Sequence, residues 1–310
     1  MKLYPMLFAG AAAAGALMLV RRVGIREDLD WNTIDKPGQV MDIDGYGVHY
    51  TDDGAGPAMV LIHGFGGQTY SYRHLIPLFA RGHRVVAVDL KGYGYSERNA
   101  HAGFSGTAQV AMLKGLLDKL GITHAVFVGH SMGGGVAQRF AVTHPEMVDA
   151  LILAASVSGA DRAGRRALPP GPLVKLVVPV LAKVAASRML RGSFYDPAML
   201  TDDVRDEYMR PVRIKGSMDG LMAIMRDGAD DAPVEMERIK QPVLLLYGAH
   251  DKLVPVSVGR QIQERIPHAR MVVVEKAGHL LLEEQPQECA SAILDFLREA
   301  GVAPTAAAAP

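Results

Sequence analysis

The chain has 310 residues, and its 33 Lys and Arg balance its 33 Asp and Glu, so the formal net charge at pH 7 is +0. Without a net charge or a block of like charges, the sequence does not predict a nucleic-acid partner. The single cysteine, Cys289, excludes an internal disulfide. No Cys/His group has the spacing of a zinc site, and we expect neither a metal nor another cofactor.

An uncharged, largely apolar segment, residues 3–20, lies near the N-terminus between Lys2 and Arg21–Arg22. As a helix these residues would span about 27 Å, close to the bilayer hydrocarbon thickness of about 30 Å. We therefore predict that residues 1–23 form a single membrane anchor, and the flanking arginines slightly favour the cytoplasmic side for the rest of the chain. The alternative is a cleavable signal peptide followed by export, because Ala14–Gly15–Ala16 forms an A-x-A site.

Strand-like and helix-like segments alternate after a polar linker at residues 24–39. Most of the strand-like segments are short, continuous apolar runs, which are typical of strands buried on both faces of a sheet. The alternation predicts an α/β fold with a mostly parallel central sheet flanked by helices. The predicted strands are 40–43, 48–51, 58–63, 84–90, 125–129, 150–154, 243–247 and 270–274, and the predicted helices are 70–80, 107–120, 132–143 and 286–299.

A stretch without a convincing strand, residues 156–240, interrupts this alternation. We predict that it forms an inserted helical cap, which divides the core into residues 40–155 and 241–300. Part of the insertion is strongly apolar, and we expect this part to pack on the core; the alternative is a surface that faces lipid or substrate. The Ala- and Pro-rich tail, residues 301–310, is predicted to be disordered.

The sequence Gly129–His130–Ser131–Met132–Gly133 matches G-x-S-x-G, in which the glycines leave room for a sharp turn that exposes the serine oxygen. The pattern alone is weak evidence, because short motifs also occur by chance. Its setting is more specific, since a predicted strand ends at Gly129 and consecutive glycines lead into a predicted helix. This strand–turn–helix arrangement predicts that Ser131 is a catalytic nucleophile.

A serine hydroxyl needs a neutral imidazole to accept its proton and a carboxylate to orient that imidazole. His279 follows the predicted strand 270–274, and Asp251 follows the predicted strand 243–247, so both side chains belong to loops at strand ends. We therefore predict that His279 is the base and that Asp251 is the orienting carboxylate. Asp89 is the competing carboxylate, but its Gly-rich surroundings favour a role in shaping a turn.

A glycine-rich loop, His63–Gly67, follows the predicted strand 58–63. Its glycines allow backbone N–H groups to approach a reacting carbonyl, as an oxyanion hole requires. We predict that the backbone N–H groups of Phe65 and Met132 are the oxyanion donors. A phosphate-binding loop is the alternative, but the sequence contains neither G-x-x-x-x-G-K-[ST] nor a G-x-G-x-x-G that opens a helix after a strand.

Over residues 40–300 the chain resembles the α/β-hydrolase superfamily. Within it, the chain is similar to the capped branch of esterases, lipases and meta-cleavage hydrolases, and its N-terminal segment with Gly–His–Ser–Met–Gly–Gly also resembles membrane-bound monoacylglycerol lipases. The resemblance implies an α/β-hydrolase fold with an inserted cap and a Ser–His–Asp catalytic triad. The matching positions are the loop His63–Gly66, the segment Asp89–Ser96, Ser131, Asp251 and His279.

These residues predict a serine carboxylester hydrolase that cleaves apolar acyl esters or monoacylglycerol-like lipids through an acyl-enzyme. The expected partners are a small-molecule ester or lipid and, through the N-terminal segment, a membrane. The resemblance permits carbon–carbon bond hydrolysis of the meta-cleavage type as an alternative, in which arginines such as Arg210 or Arg213 would point into the pocket to bind substrate carboxylates. A second alternative is a ligand-binding α/β-hydrolase with little turnover.

Overall fold

The computed structural model describes residues 26–99, 103–157, 188–227 and 232–302. The strands of this part are β1 (Gln39–Ile43), β2 (Tyr46–Gly54), β3 (Ala58–Ile62), β4 (Arg84–Val88), β5 (Ala125–His130), β6 (Val148–Ala154), β7 (Val243–Gly248) and β8 (Arg270–Val274). Its α-helices include α1 (Ile76–Phe79), α2 (Gly106–Lys119), α3 (Met132–Thr143), α4 (Asp202–Met209), α5 (Ser217–Asp227), α6 (Val256–Arg265), α7 (Leu281–Glu284) and α8 (Pro286–Glu299). Short 3₁₀ helices lie at Thr69–Tyr72, Pro145–Met147, Pro197–Met199, Pro211–Arg213 and Met236–Arg238.

The strands named above join in one sheet with the order β1-β2-β4-β3-β5-β6-β7-β8. The pairs β1–β2 and β2–β4 are antiparallel, and the remaining pairs are parallel. The turn between β1 and β2 consists of Asp44 and Gly45, and both have positive φ, 53° and 78°, as a type I′ hairpin requires. The predicted mostly parallel sheet is therefore confirmed, with an antiparallel hairpin at one edge.

Alternate residues of each central strand point to opposite faces of the sheet, so a continuous apolar strand makes both faces apolar. Helices cover both of these faces. On one face, Val60 of β3 belongs to a buried cluster that includes Leu113 of α2 and Phe140 of α3. On the other face, Leu61 of the same strand belongs to a cluster that includes Ile293 of α8. The buried parallel strands bring their carboxyl ends to one edge of the sheet, where the loops that follow them meet.

Three helices differ from the prediction. The predicted helix 70–80 is divided into the 3₁₀ helix Thr69–Tyr72 and the short α1, because Pro77 has no N–H and its ring clashes with a preceding helical turn. Helices α6 and α7 have no counterpart among the predicted helices, because most residues of α6 are polar or charged and α7 has only 4 residues. The other predicted elements lie where expected, with shifts confined to their ends.

The described residues between β6 and β7 contain α4 and α5, and we call residues 188–227 the cap segment. The predicted linker lies across this segment. Leu29 forms a parallel bridge with Ile214, and the Glu27 carboxylate accepts a hydrogen bond from the backbone N–H of Gly216 at 3.0 Å. The residues before the sheet are therefore attached to the cap segment, while the boundaries of the inserted cap remain a prediction.

The predicted anchor or signal segment, residues 1–23, lies outside the described residues, as do residues 303–310 of the predicted tail. Within the described ranges, no helix has both the length and the apolar character needed to cross a bilayer. Helices α2 and α8 have 14 residues each, whereas a crossing needs about 20 apolar residues. The prediction of a membrane-anchored localisation is therefore corrected, because the described structure contains no such helix.

Candidate active site

Ser131 occupies a sharp turn between β5 and α3, with a backbone φ of 51° and ψ of −116°. The strand and the helix approach each other closely at this turn. A Cβ on Gly129 would lie 2.6 Å from the Gly133 carbonyl oxygen, and a Cβ on Gly133 would lie 2.2 Å from the Ile62 carbonyl oxygen. Only glycine fits at both positions, and the turn places the Ser131 hydroxyl beyond the end of β5.

His279 lies between Ser131 and Asp251. Its Nε2 is 3.0 Å from Ser131 Oγ, and its Nδ1 is 2.8 Å from Asp251 Oδ2. The three residues follow β5, β7 and β8, whose carboxyl ends meet at one edge of the sheet. Their exposed fractions are only 8% for Ser131, 6% for Asp251 and 8% for His279, so bulk water competes little for these hydrogen bonds.

The Asp251 carboxylate is held in a fixed orientation by the backbone. Its Oδ1 accepts hydrogen bonds from the N–H groups of Leu253 at 2.8 Å and Val254 at 2.9 Å, which leaves Oδ2 for His279. Since an ionised carboxylate can only accept, a neutral His279 carries its proton on Nδ1 and presents Nε2 to the Ser131 hydroxyl. The arrangement can therefore take a proton from Ser131.

The loop His63–Gly67 lies against the Ser131 turn, because a Cβ added to Gly64 would be 3.0 Å from the Ser131 Cβ. Phe65 and Met132, the positions predicted to donate to an oxyanion, are the residues next to Gly64 and Ser131. Within the described residues, neither of their backbone N–H groups donates to another protein group. Both donors are thus available for a bound group.

The buried imidazole of His63 fixes the shape of this loop. Its Nδ1–H donates to the Gly64 carbonyl oxygen at 2.7 Å, and its Nε2 accepts from the Leu90 N–H at 3.0 Å. Burial lowers the pKa of His63, which favours the neutral form that can both donate and accept. The loop is thereby tied to the residues that follow β4.

His130 contacts the backbone of His279, a role that the sequence did not indicate. Its Nε2–H donates to the His279 carbonyl oxygen at 2.8 Å, and the two rings lie 4.8 Å apart. Burial, together with the nearby His279, lowers the pKa of His130 to about 3. His130 is therefore neutral near pH 7, and its position next to Ser131 is the one sequence signal that could have identified it.

Asp89, the competing carboxylate, lies in a separate buried network. Its Oδ2 is 2.7 Å from Nδ1 of His49 and accepts from the Tyr95 N–H at 2.7 Å. Its Oδ1 accepts from the Thr69 N–H at 2.6 Å. None of these contacts involves the Ser131 turn, and Asp89 therefore shapes the turn after β4, as its Gly-rich surroundings predict.

Arg210 and Arg213, which the carbon–carbon alternative would place in the pocket, contact the N-terminal segment instead. Arg213 forms a two-bond ion pair with Asp28, at 2.8 Å for each contact, and Arg210 donates to the Asp35 carbonyl oxygen at 3.5 Å. Both guanidinium groups are therefore engaged where the chain crosses the cap segment. In the same described part, no three His, Cys, Asp or Glu side chains are grouped to hold a metal ion.

Comparison with known proteins agrees with this architecture. A family model described as alpha/beta hydrolase fold matches residues 57–286. Among curated proteins, the chain is 32% identical over 267 residues to a 2-hydroxy-6-oxononadienedioate/2-hydroxy-6-oxononatrienedioate hydrolase of Paraburkholderia phymatum, with 81% of this chain and 90% of that protein covered. The α/β-hydrolase fold predicted from the sequence is thereby confirmed.

Solved structures have the same fold at lower sequence identity. A membrane phospholipase A, described as a bacterial virulence factor, has a TM-score of 0.73 and 24% identity, with 98% of this chain and 100% of that chain covered. A meta-cleavage product hydrolase of Pseudomonas fluorescens has a TM-score of 0.69 and 24% identity, with 85% and 98% covered. At this level of identity the likeness concerns the fold alone.

Proposed function

Because the chain belongs to the alpha/beta hydrolase fold family, we propose that it is a serine hydrolase in which Ser131 attacks a carbonyl carbon of a small-molecule substrate. The observation that carries this proposal is the chain of contacts from Ser131 Oγ through His279 to Asp251, at 3.0 and 2.8 Å. A nucleophile, a base and an orienting carboxylate in mutual hydrogen-bond contact activate a serine at neutral pH.

In the first half of the reaction, Ser131 Oγ attacks the carbonyl carbon while His279 Nε2 takes the hydroxyl proton. The backbone N–H groups of Phe65 and Met132 donate to the oxygen that becomes negative. When the tetrahedral intermediate collapses, the bond between the carbonyl carbon and the leaving group breaks, and His279 gives its proton to the leaving group. Asp251 stabilises the imidazolium form of His279 throughout.

In the second half, a water molecule attacks the acyl ester of Ser131 and gives a proton to His279. Collapse of the second tetrahedral intermediate releases a carboxylic acid and returns that proton to the Ser131 oxygen. One water is consumed for each bond cleaved. The proposed steps use only the side chains and backbone N–H groups named above, without a cofactor.

Carbon–carbon bond hydrolysis of the meta-cleavage type is the reaction that we infer first. Its support is the relative with 32% identity over most of both chains, which is a hydrolase of 2-hydroxy-6-oxononadienedioate. In such a substrate the proton of the 2-hydroxyl group first shifts to C5, which gives a 2-oxo-3-ene. The C6 ketone carbon then accepts the serine oxygen, the C5–C6 bond breaks, and C5 leaves as a dienolate conjugated with the C2 oxygen, which is then protonated. The relative thus favours the alternative left open by the sequence over the ester prediction.

Carboxylic ester hydrolysis remains the second candidate because of the positions of Arg210 and Arg213. A dicarboxylate substrate calls for cationic side chains near the nucleophile, but both arginines contact the N-terminal segment. An ester with an apolar acyl group needs no such cation, and Phe65 presents an apolar side chain that is 41% exposed. The same nucleophile, base and N–H donors would act, with an alcohol as the leaving group.

Two assays on the purified protein separate these candidates. Hydrolysis of 2-hydroxy-6-oxononadienedioate to succinate and 2-hydroxypenta-2,4-dienoate tests carbon–carbon cleavage, and a p-nitrophenyl ester series from acetate to palmitate tests ester cleavage. Ser131→Ala is the paired control, and we expect it to lower kcat by about 10⁶-fold on the true substrate class.

The relative kcat/KM values for the two substrate classes decide between the reactions. A higher value for the dienedioate supports carbon–carbon hydrolysis, and a higher value for an ester supports the second candidate. Turnover that Ser131→Ala leaves unchanged would contradict the proposed nucleophile. Binding of these compounds without turnover, unaffected by Ser131→Ala, would favour the ligand-binding alternative.

A further inference from the structure

Two adjacent buried carboxylates, Glu283 and Glu284, follow His279 in the short helix α7. Glu283 forms an ion pair with Arg73 at 2.5 Å and accepts a hydrogen bond from the Tyr208 hydroxyl. Glu284 instead accepts hydrogen bonds from backbone N–H groups. Of the two, Glu284 is the one that contacts the turn carrying His279.

Glu284 bridges the cap segment and the His279 turn. Its Oε1 accepts hydrogen bonds from the N–H groups of Tyr195 at 2.6 Å and Asp196 at 3.2 Å. Its Oε2 accepts from the N–H of Gly278, the residue before His279, at 2.8 Å. One carboxylate thus satisfies three backbone donors from two distant parts of the chain.

A second set of contacts joins the same two parts. The Ser193 carbonyl oxygen accepts hydrogen bonds from the N–H groups of His279 at 2.8 Å and Leu280 at 3.2 Å. A Cβ on Gly278 would lie 2.7 Å both from the Ser193 carbonyl oxygen and from the Tyr195 nitrogen, so the two backbones are in direct contact. The two parts therefore pack as one unit.

We propose that Glu284 is a positioning residue that holds residues 193–196 of the cap segment against the His279 turn and thereby sets the distance from His279 Nε2 to Ser131 Oγ. The inference rests on the proposed serine hydrolase function. Because these backbone contacts place His279, a displacement of residues 193–196 also moves the base relative to Ser131. The seating of the cap segment is therefore coupled to the activation of the nucleophile.

A carboxylate is needed at this position because both of its oxygens accept hydrogen bonds. Glutamine has nearly the same shape but only one acceptor oxygen, so its NH₂ group would face an N–H donor on one side of the bridge. Glu284→Gln therefore breaks the hydrogen bonds either to the cap segment or to the Gly278 N–H. In both cases a buried N–H donor is left without a partner.

The test compares Glu284→Gln with Glu283→Gln as a matched control, since the two glutamates are adjacent and both are buried. The first readout is the rate at which a fluorophosphonate probe labels Ser131, measured over about pH 5 to 9 so that the titration of a histidine base is covered. The second is hydrogen–deuterium exchange of residues 193–196 and 278–280. Thermal unfolding reports the stability of each variant.

We expect Glu284→Gln to lower the labelling rate at least about tenfold, because misplacing a catalytic group by about 1 Å can cost about 10²-fold. Exchange should rise in both segments of this variant. Glu283→Gln should lower the unfolding temperature but leave the labelling rate and its pH profile unchanged. If Glu284→Gln does not fold, Glu284→Asp replaces it, since the shorter side chain keeps two acceptors but cannot reach both sides.

Equal labelling and equal exchange in the wild-type protein and the Glu284 variant would overturn the inference. An equal loss of labelling in both glutamate variants would also overturn it, because a general loss of stability would then explain the effect. If the wild-type protein is not labelled, the proposed function fails instead. The exchange comparison then still decides whether Glu284 holds the two segments together.

Discussion

The imidazole of His130 donates a hydrogen bond to the backbone carbonyl oxygen of His279 across 2.8 Å. Because His130 precedes Ser131 in the chain, this bond connects the turn of the proposed nucleophile with the turn of the proposed base. The N–H of His279 donates to the Ser193 carbonyl oxygen at 2.8 Å. Hydrogen bonds therefore fix both the backbone N–H and the backbone carbonyl oxygen of His279.

Protein stability should fall below about pH 6.5 in a way that depends on His130. Burial lowers the pKa of this histidine to about 3 in the folded protein, against about 6.5 in the unfolded chain. Between these pH values the unfolded state binds more protons, so the free energy of unfolding falls as the pH decreases, by about 1.4 kcal/mol per pH unit from this group. Above about pH 6.5 the contribution of His130 is fully present.

Urea unfolding of the wild-type protein and His130→Gln at about pH 7, 6 and 5 measures this contribution. Glutamine can still donate to the His279 carbonyl oxygen but does not titrate. His63, whose pKa burial also lowers, contributes equally to both proteins. Identical pH dependence in the two proteins would contradict a neutral, buried His130.

Asp251→Asn should lower kcat by about 10⁴-fold, as loss of the orienting carboxylate does in other serine triads, with little loss of fold stability. The N–H groups of Leu253 and Val254 need an acceptor, so the asparagine oxygen faces them and its NH₂ group faces His279 Nδ1. His279 then carries its proton on Nε2 and cannot accept one from Ser131. Steady-state kinetics and thermal unfolding check both expectations, and a kcat close to the wild-type value would exclude this role for Asp251.

Gly133→Ala should destabilise the protein, whereas Gly135→Ala in the same helix should be tolerated. A Cβ at Gly133 would lie 2.2 Å from the Ile62 carbonyl oxygen, which is backbone and cannot move without shifting β3. A Cβ at Gly135 meets Val157 at 3.7 Å, an ordinary contact. We expect the first change to cost at least about 1–3 kcal/mol of unfolding free energy, and the second to gain up to about 1 kcal/mol. Urea unfolding of both variants measures the difference, and the reverse order of stability would contradict it.

Local patterns were sufficient to predict the sheet and the candidate site. Continuous apolar runs indicate buried strands, and Gly129 indicates the sharp turn because its close approach to Gly133 is local. Asp251 and His279 could be predicted because loops at the carboxyl ends of parallel strands share one edge of the sheet. Helix α6 was missed because most of its residues are polar or charged and Gly259, a poor helix former, lies in its interior.

Two predictions from apolar composition have different outcomes. Residues 3–20 predicted a membrane-anchored protein, but no helix among the described residues is able to cross a bilayer. The apolar character of the chain also favoured ester substrates, and this stays a prediction, since a relative with 32% identity is a 2-hydroxy-6-oxononadienedioate/2-hydroxy-6-oxononatrienedioate hydrolase. Composition reports hydrophobicity but not the contacts that select a partner or a substrate.

The sequence by itself determined the strands, the Ser131 turn and the loops that carry Asp251 and His279, because these depend on periodicity, steric limits and strand order. Only the tertiary structure decided how the cap segment is attached to them. The half-buried Arg98, for example, donates to the carbonyl oxygens of Tyr93 at 3.1 Å and Pro211 at 3.3 Å, and Glu284 likewise bridges segments that lie far apart in the chain. Such bonds pair a side chain with backbone groups, which every residue type offers, so they leave no pattern in the sequence and depend on which segments meet in space.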